Sequence, residues 1–143
     1  MQLNLNTQNH NPQFGMAINI NSSNFSRILS ERVKNGNDII RLERIFERAN
    51  KNDIVDIYLG TNENGRLWAN LAERRVNKTA EKVNFQQDLT PYADSFHEGL
   101  FSRLFKNPVN TIEDLVIKAE HKAEEIKSSR KLFEAVQKAL SEK

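Results

Sequence analysis

The 143-residue sequence contains no cysteine and only five glycines and three prolines. Without cysteine there is no disulfide scaffold, thiol nucleophile, or cysteine-ligated zinc or iron–sulfur centre. Gly15, Gly36, Gly60, Gly65 and Gly99 are isolated from one another. The chain therefore offers no glycine-rich loop to cradle a polyphosphate, and it carries neither a Gly-x-Ser-x-Gly elbow nor a dinucleotide fingerprint. No cofactor is implied. No apolar run approaches the roughly 18 residues of a spanning helix, and no basic, then apolar, leader opens the chain. These absences predict a cytoplasmic protein without a membrane partner. Charge of one sign is also scarce. Lys and Arg number 21 against 19 Asp and Glu, a net charge of +2, which by itself argues for neither nucleic acid nor a lipid surface.

Leu, Ile, Val and Phe make up 27% of the chain, above the roughly 20% below which chains stay disordered. This length most simply forms one domain. Residues 1–12, rich in asparagine and poor in apolar groups, read as a flexible tail. Residues 13–143 read as a single α+β domain. It comprises an early strand, a small antiparallel β-meander and four or five helices, with a helical C-terminal segment over 111–141.

Alternation of Met16, Ile18 and Ile20 predicts a strand over 14–20. Ser22 or Ser23 is placed to cap a first helix whose apolar face is Phe25, Ile28, Leu29 and Val33. Gly36 suits a left-handed stop, and Asn37 a new cap. The second helix buries Ile39, Leu42, Ile45, Phe46 and Ala49, which turns Arg41, Arg44, Arg48 and Lys51 outward.

Two strands, 54–60 and 66–76, flank Thr61-Asn62-Glu63-Asn64-Gly65. A two-residue turn at Asn64-Gly65 would mix the faces. A five-residue loop keeps them apart, pairing Leu59 with Leu67, Ile57 with Ala69 and Val55 with Leu71, and setting Tyr58 beside Trp68. Residues 83–87 are expected to add a third meander strand. After Pro91, Phe96, Leu100, Phe101, Leu104 and Phe105 form an apolar arc of helical spacing that Asn107-Pro108 ends. Thr111 then opens a long helix with Ile112, Leu115, Val116, Ala119, Ala123 and Ile126 on one stripe. Beyond Ser128-Ser129 the apolar set becomes Leu132, Phe133, Val136 and Leu140, rotated by about 95°. Either the helix breaks at the serines and folds back on the domain, the preferred expectation, or its last turns face another chain.

Three constellations could carry function. His97 is the catalytic candidate. On a helix it falls within the apolar arc, with Asp94 one turn before it and Glu98 beside it, as acid–base chemistry requires. The plainer alternative is a core-edge histidine satisfied by Asp94 or a carbonyl. Phe101 stands where a His-Glu-x-x-His metal helix needs its second histidine, so no metal site is expected. The second constellation is basic: Arg41, Arg44, Arg48 and Lys51 on one helix, with Arg66, Arg74, Arg75, Lys78 and Lys82 around the hairpin. On one surface they would track phosphates. Interleaved Glu43, Glu47, Glu73 and Glu81 argue instead for a solvated face. The third is the stripe Leu132, Phe133, Val136 and Leu140, a surface for a protein partner or a homo-oligomer. The resulting expectation is a non-catalytic protein-interaction module. A nucleic-acid-binding protein and a small enzyme centred on His97 are the alternatives.

Overall fold

The computed structural model describes residues 18–74 and 91–142. Eight elements follow in order: β1 (Ile18–Ile20), α1 (Phe25–Arg32), α2 (Gly36–Asn50), β2 (Val55–Thr61), β3 (Leu67–Glu73), β4 (Ala93–His97), α3 (Leu100–Phe105) and α4 (Pro108–Ser141). The strands form one mixed sheet in the order β1-β2-β3-β4. β1 lies parallel to β2, while β2, β3 and β4 form an antiparallel meander. The fold is therefore α+β. The expected strand at 83–87, the tail 1–12 and the first part of the strand at 14–20 lie outside the described residues.

Alternation places Ile18, Ile20, Val55, Ile57, Leu59, Leu67, Ala69 and Leu71 on one buried sheet face. Against them pack Phe25 and Leu29 of α1, Leu42 and Phe46 of α2, and Val109, Ile112 and Val116 of α4. The other face carries Tyr58, Trp68, Asn70, Ser95 and His97 and is not part of this core. α2 and α4 run in the same direction. Arg41 donates to Glu113 and Arg48 to Glu120, a constant offset of 72 residues along both helices.

Several local expectations are corrected. Ser22 does not cap α1; its hydroxyl accepts the Thr61 N–H at 2.9 Å. Asn24 directs its carbonyl to the Thr61 hydroxyl at 2.8 Å. Thr61 is buried, and an unpaired buried donor costs more than an uncapped exposed helix turn. Gly36 is the first residue of α2 rather than a left-handed stop, and Asn35 caps that helix by accepting the Asn37 N–H.

The hairpin register is displaced by two residues from the expected one. Leu59 faces Ala69, Ile57 faces Leu71, and the last pair is Thr61 with Leu67. An even displacement keeps every side chain on its face, so the six core residues are as expected. Tyr58 lies opposite Asn70, however, and Trp68 opposite Gly60. The Trp68 ring covers Gly60 so closely that a Cβ there would stand 2.3 Å from it. The turn explains the displacement. Asn62 pairs with Arg66, and its side chain accepts the N–H groups of Asn64 and Arg66. Gly65, with φ of +77°, supplies the left-handed residue that follows such a turn.

The helix expected after Pro91 is strand β4 up to His97, and only Leu100–Phe105 are helical. Pairing with β3 outranks the helical spacing of Phe96, Leu100 and Phe101. α4 starts three residues before Thr111. Asn107 caps it by accepting the Val109 N–H at 3.0 Å, and Pro108 occupies its first turn. It does not break at Ser128-Ser129 but runs unbroken for 34 residues, about 51 Å.

Candidate functional site

β4 separates the groups expected to act with His97. Strand alternation sends Asp94, Phe96 and Glu98 to the helix-covered side and His97 to the other, opposite Trp68. His97 is exposed. Asp94 pairs with Lys118 of α4 and also accepts the Ser95 N–H at 2.8 Å. The hydrogen bond from Lys118 leads the causes that hold the Asp94 carboxyl below its usual range, followed by the Ser95 N–H. The same contact raises the Lys118 ammonium. The helical picture of Asp94 orienting His97 one turn away is thus replaced by two separate surfaces.

Glu98 lies just past β4 and is 2% exposed. Arg32 grips it with two hydrogen bonds, of 2.7 and 3.0 Å, and reaches the carbonyls of Arg103 and Lys106. Glu98 also accepts the Leu67 N–H at 3.1 Å. The pair therefore ties α1 and β3 together through the carboxylate, and the α3–α4 junction through the guanidinium. No local sequence pattern marks this pair, since 66 residues separate its members.

The basic residues divide between two surfaces. Arg41 and Arg48 bind Glu113 and Glu120 across the α2–α4 seam, at 2.7 and 2.6 Å. Arg44 and Lys51 are exposed, without ion pairs among the described residues. Arg74 binds Asp56 at 2.6 Å. Asp56 sits between inward-facing Val55 and Ile57 and hence on the opposite face of the sheet. Arg75, Lys78 and Lys82 lie outside the described residues. Arg74 therefore does not share a face with Arg41 and Arg48.

Apolar side chains are exposed at two places. On α3, Leu100, Phe101, Leu104 and Phe105 are all exposed, and the two phenylalanine rings stack at 6.4 Å. α3 buries none of its residues. On α4, Leu132 is 67%, Val136 49% and Leu140 59% exposed, while Phe133 is half-buried. Ile112, Ala119, Ile126, Phe133 and Leu140 recur every seven residues and pass from buried to exposed along the helix. A straight helix turns such a line by about 20° per heptad, and Leu132 and Val136 lie on its far side, so the drift and these two residues together make the rotation between its two apolar stripes. Arg130 binds Glu73 and Lys127 binds Asp53, the last ion pairs between α4 and the rest of the molecule among the described residues. The turns after Arg130 project beyond them.

A cleft of about 200 Å³ opens between β4 and α4. Leu71, Phe96 and Leu115 are apolar in its lining, and Asp94, Lys118, Lys106 and Asp114 are its charged groups. The Thr111 hydroxyl in this lining is buried, with no hydrogen-bond partner. Thr111 lies within an apolar helix stripe, so nothing in its local sequence marks it as a site residue. Among the described residues, no three His, Asp or Glu side chains converge to hold a metal ion, and no helix is long and apolar enough to cross a membrane. The chain matches no protein-family model, no curated protein and no solved structure.

Proposed function

We propose that this chain is a non-catalytic protein-interaction module that pairs with a second copy through the projecting half of α4. The observation that carries this reading is the exposed stripe Leu132, Val136 and Leu140 on an unbroken helix. Spacing of four residues keeps the three on one face. Lys131, Glu134, Lys138 and Glu142 all fall about 120° or more from the centre of that stripe. In a two-fold pair each patch meets its own copy, so a charged stripe would repel itself, whereas this one sets no like charges against each other. Neither alternative has comparable support. His97 stands apart from Asp94 and Glu98, and Arg41 and Arg48, two of the three basic residues of α2, bind α4 glutamates.

Sedimentation across a range of concentrations tests the proposal. The wild type should form a concentration-dependent dimer. Leu132→Glu combined with Leu140→Glu should remain monomeric with an unchanged melting temperature. A wild type that is monomeric throughout would overturn the proposal. So would a double variant that unfolds, because the stripe would then belong to the chain's own core.

A further inference from the structure

We infer that the cleft between β4 and α4 binds an extended peptide of another protein, which adds to the sheet beside β4. This site is separate from the proposed pairing surface on α4. Two independent features support it: an edge of β4 that no described residue pairs with, and a buried hydroxyl without a partner.

Among the described residues, β4 is one of the two edge strands of the sheet. The Tyr92 carbonyl accepts the Glu73 N–H, and the Glu98 N–H donates to the Leu67 carbonyl, at 2.9 and 2.8 Å. Antiparallel pairing alternates, so Tyr92, Asp94, Phe96 and Glu98 turn their backbone groups to β3. Ala93, Ser95 and His97 turn theirs to the edge. The Ser95 N–H is already bound by Asp94. Among the described residues, the Ser95 carbonyl and both backbone groups of Ala93 and His97 have no partner. Such a row is a template for an added strand.

The cleft beside this edge specifies what the added strand presents. Its charges are internally matched, Asp94 with Lys118 and Lys106 with Asp114 at 3.5 Å. A charged side chain would find no unmatched counterion there. The lining of Leu71, Phe96 and Leu115 favours apolar stem atoms. Thr111 is 3% exposed, and its hydroxyl can both donate and accept. The anchor of the peptide is therefore an uncharged side chain with a polar end, such as Gln, Asn or Thr. Main-chain pairing supplies affinity and this anchor supplies selectivity.

The test uses a displayed library of random twelve-residue peptides selected on the full chain, followed by titration of enriched peptides into isotope-labelled protein. Shifts should concentrate in 93–97 and 111–118. Thr111→Val, which keeps shape and removes the hydroxyl, should weaken binding at least tenfold with an unchanged melting temperature. His97→Pro removes an edge N–H without touching the β3 ladder and should weaken binding similarly, whereas His97→Ala should not. The Leu132→Glu, Leu140→Glu variant should bind the peptide as well as wild type, which separates this site from dimer formation. Failure to enrich any peptide would overturn the inference. So would shifts centred on α3 or 131–141, or undiminished binding by Thr111→Val and His97→Pro.

Discussion

Asp94 and Glu98 are four residues apart, yet their surroundings give them different roles. Asp94 is at the rim of the cleft, where the Lys118 hydrogen bond lowers its proton affinity. Its carboxyl is more acidic folded than unfolded, so its contribution to stability is complete above the ordinary carboxylate range. That contribution is lost as pH falls through the lowered value. Replacing Lys118 with Met should move Asp94 back towards the ordinary range in a carboxyl NMR titration and flatten the acid limb of stability. An unmoved Asp94 titration would refute the assignment of its partner. Glu98 is instead fully enclosed, and its partner Arg32 is largely so. Removing one member leaves a buried charge unmatched, so Glu98→Ala should cost about 3–5 kcal/mol in chemical denaturation. Replacing Arg32 and Glu98 together with Met and Leu should recover part of that loss, because no charge is left unmatched while the Leu67 N–H still loses its acceptor.

At the scale of elements, the hairpin shows how side-chain alternation and turn geometry act separately. Val55, Ile57 and Leu59 had to face the helices together with Leu67, Ala69 and Leu71, and any even register satisfies that demand. The choice among even registers belongs to the Asn62–Gly65 turn, whose hydrogen bonds close only with Thr61 opposite Leu67. Leu67→Ala should accordingly destabilise the protein by about 2–5 kcal/mol, while Asn70→Ala on the open face should change stability little. Equal effects in thermal melts would mean that the faces are misassigned. β4 is the opposite case. Its apolar residues continue into α3 at helical spacing, and the backbone of 93–97 is taken by β3 instead. The cost is visible in α3, whose four large apolar side chains are left exposed.

The whole molecule is organised by α4. Its first half forms a wall of the core beside α2, and its last turns carry apolar groups past the body. A break at Ser128-Ser129 would have returned those groups to the domain. Serine is only a mild helix penalty, and Arg130 and Lys127 tether the continuing turns to Glu73 and Asp53. The proposed pairing of two copies follows from that continuity, since a stripe turned away from its own core is covered only by another surface. The sequence by itself determined the α+β class, the apolar faces of α1 and α2, the inward set of the hairpin and the stripe on α4. Each follows from periodicity within a few turns or residues, where side-chain direction is a local property. Only the tertiary structure decided the hairpin register, the strand at Ala93–His97, the pairing of Arg41 and Arg48 with α4, and the Arg32–Glu98 contact. It also decided which side of β4 His97 occupies and brought Thr111 to the cleft between β4 and α4. These features depend on groups that are tens of residues apart in sequence or that compete for one backbone, and only the packed chain selects among them.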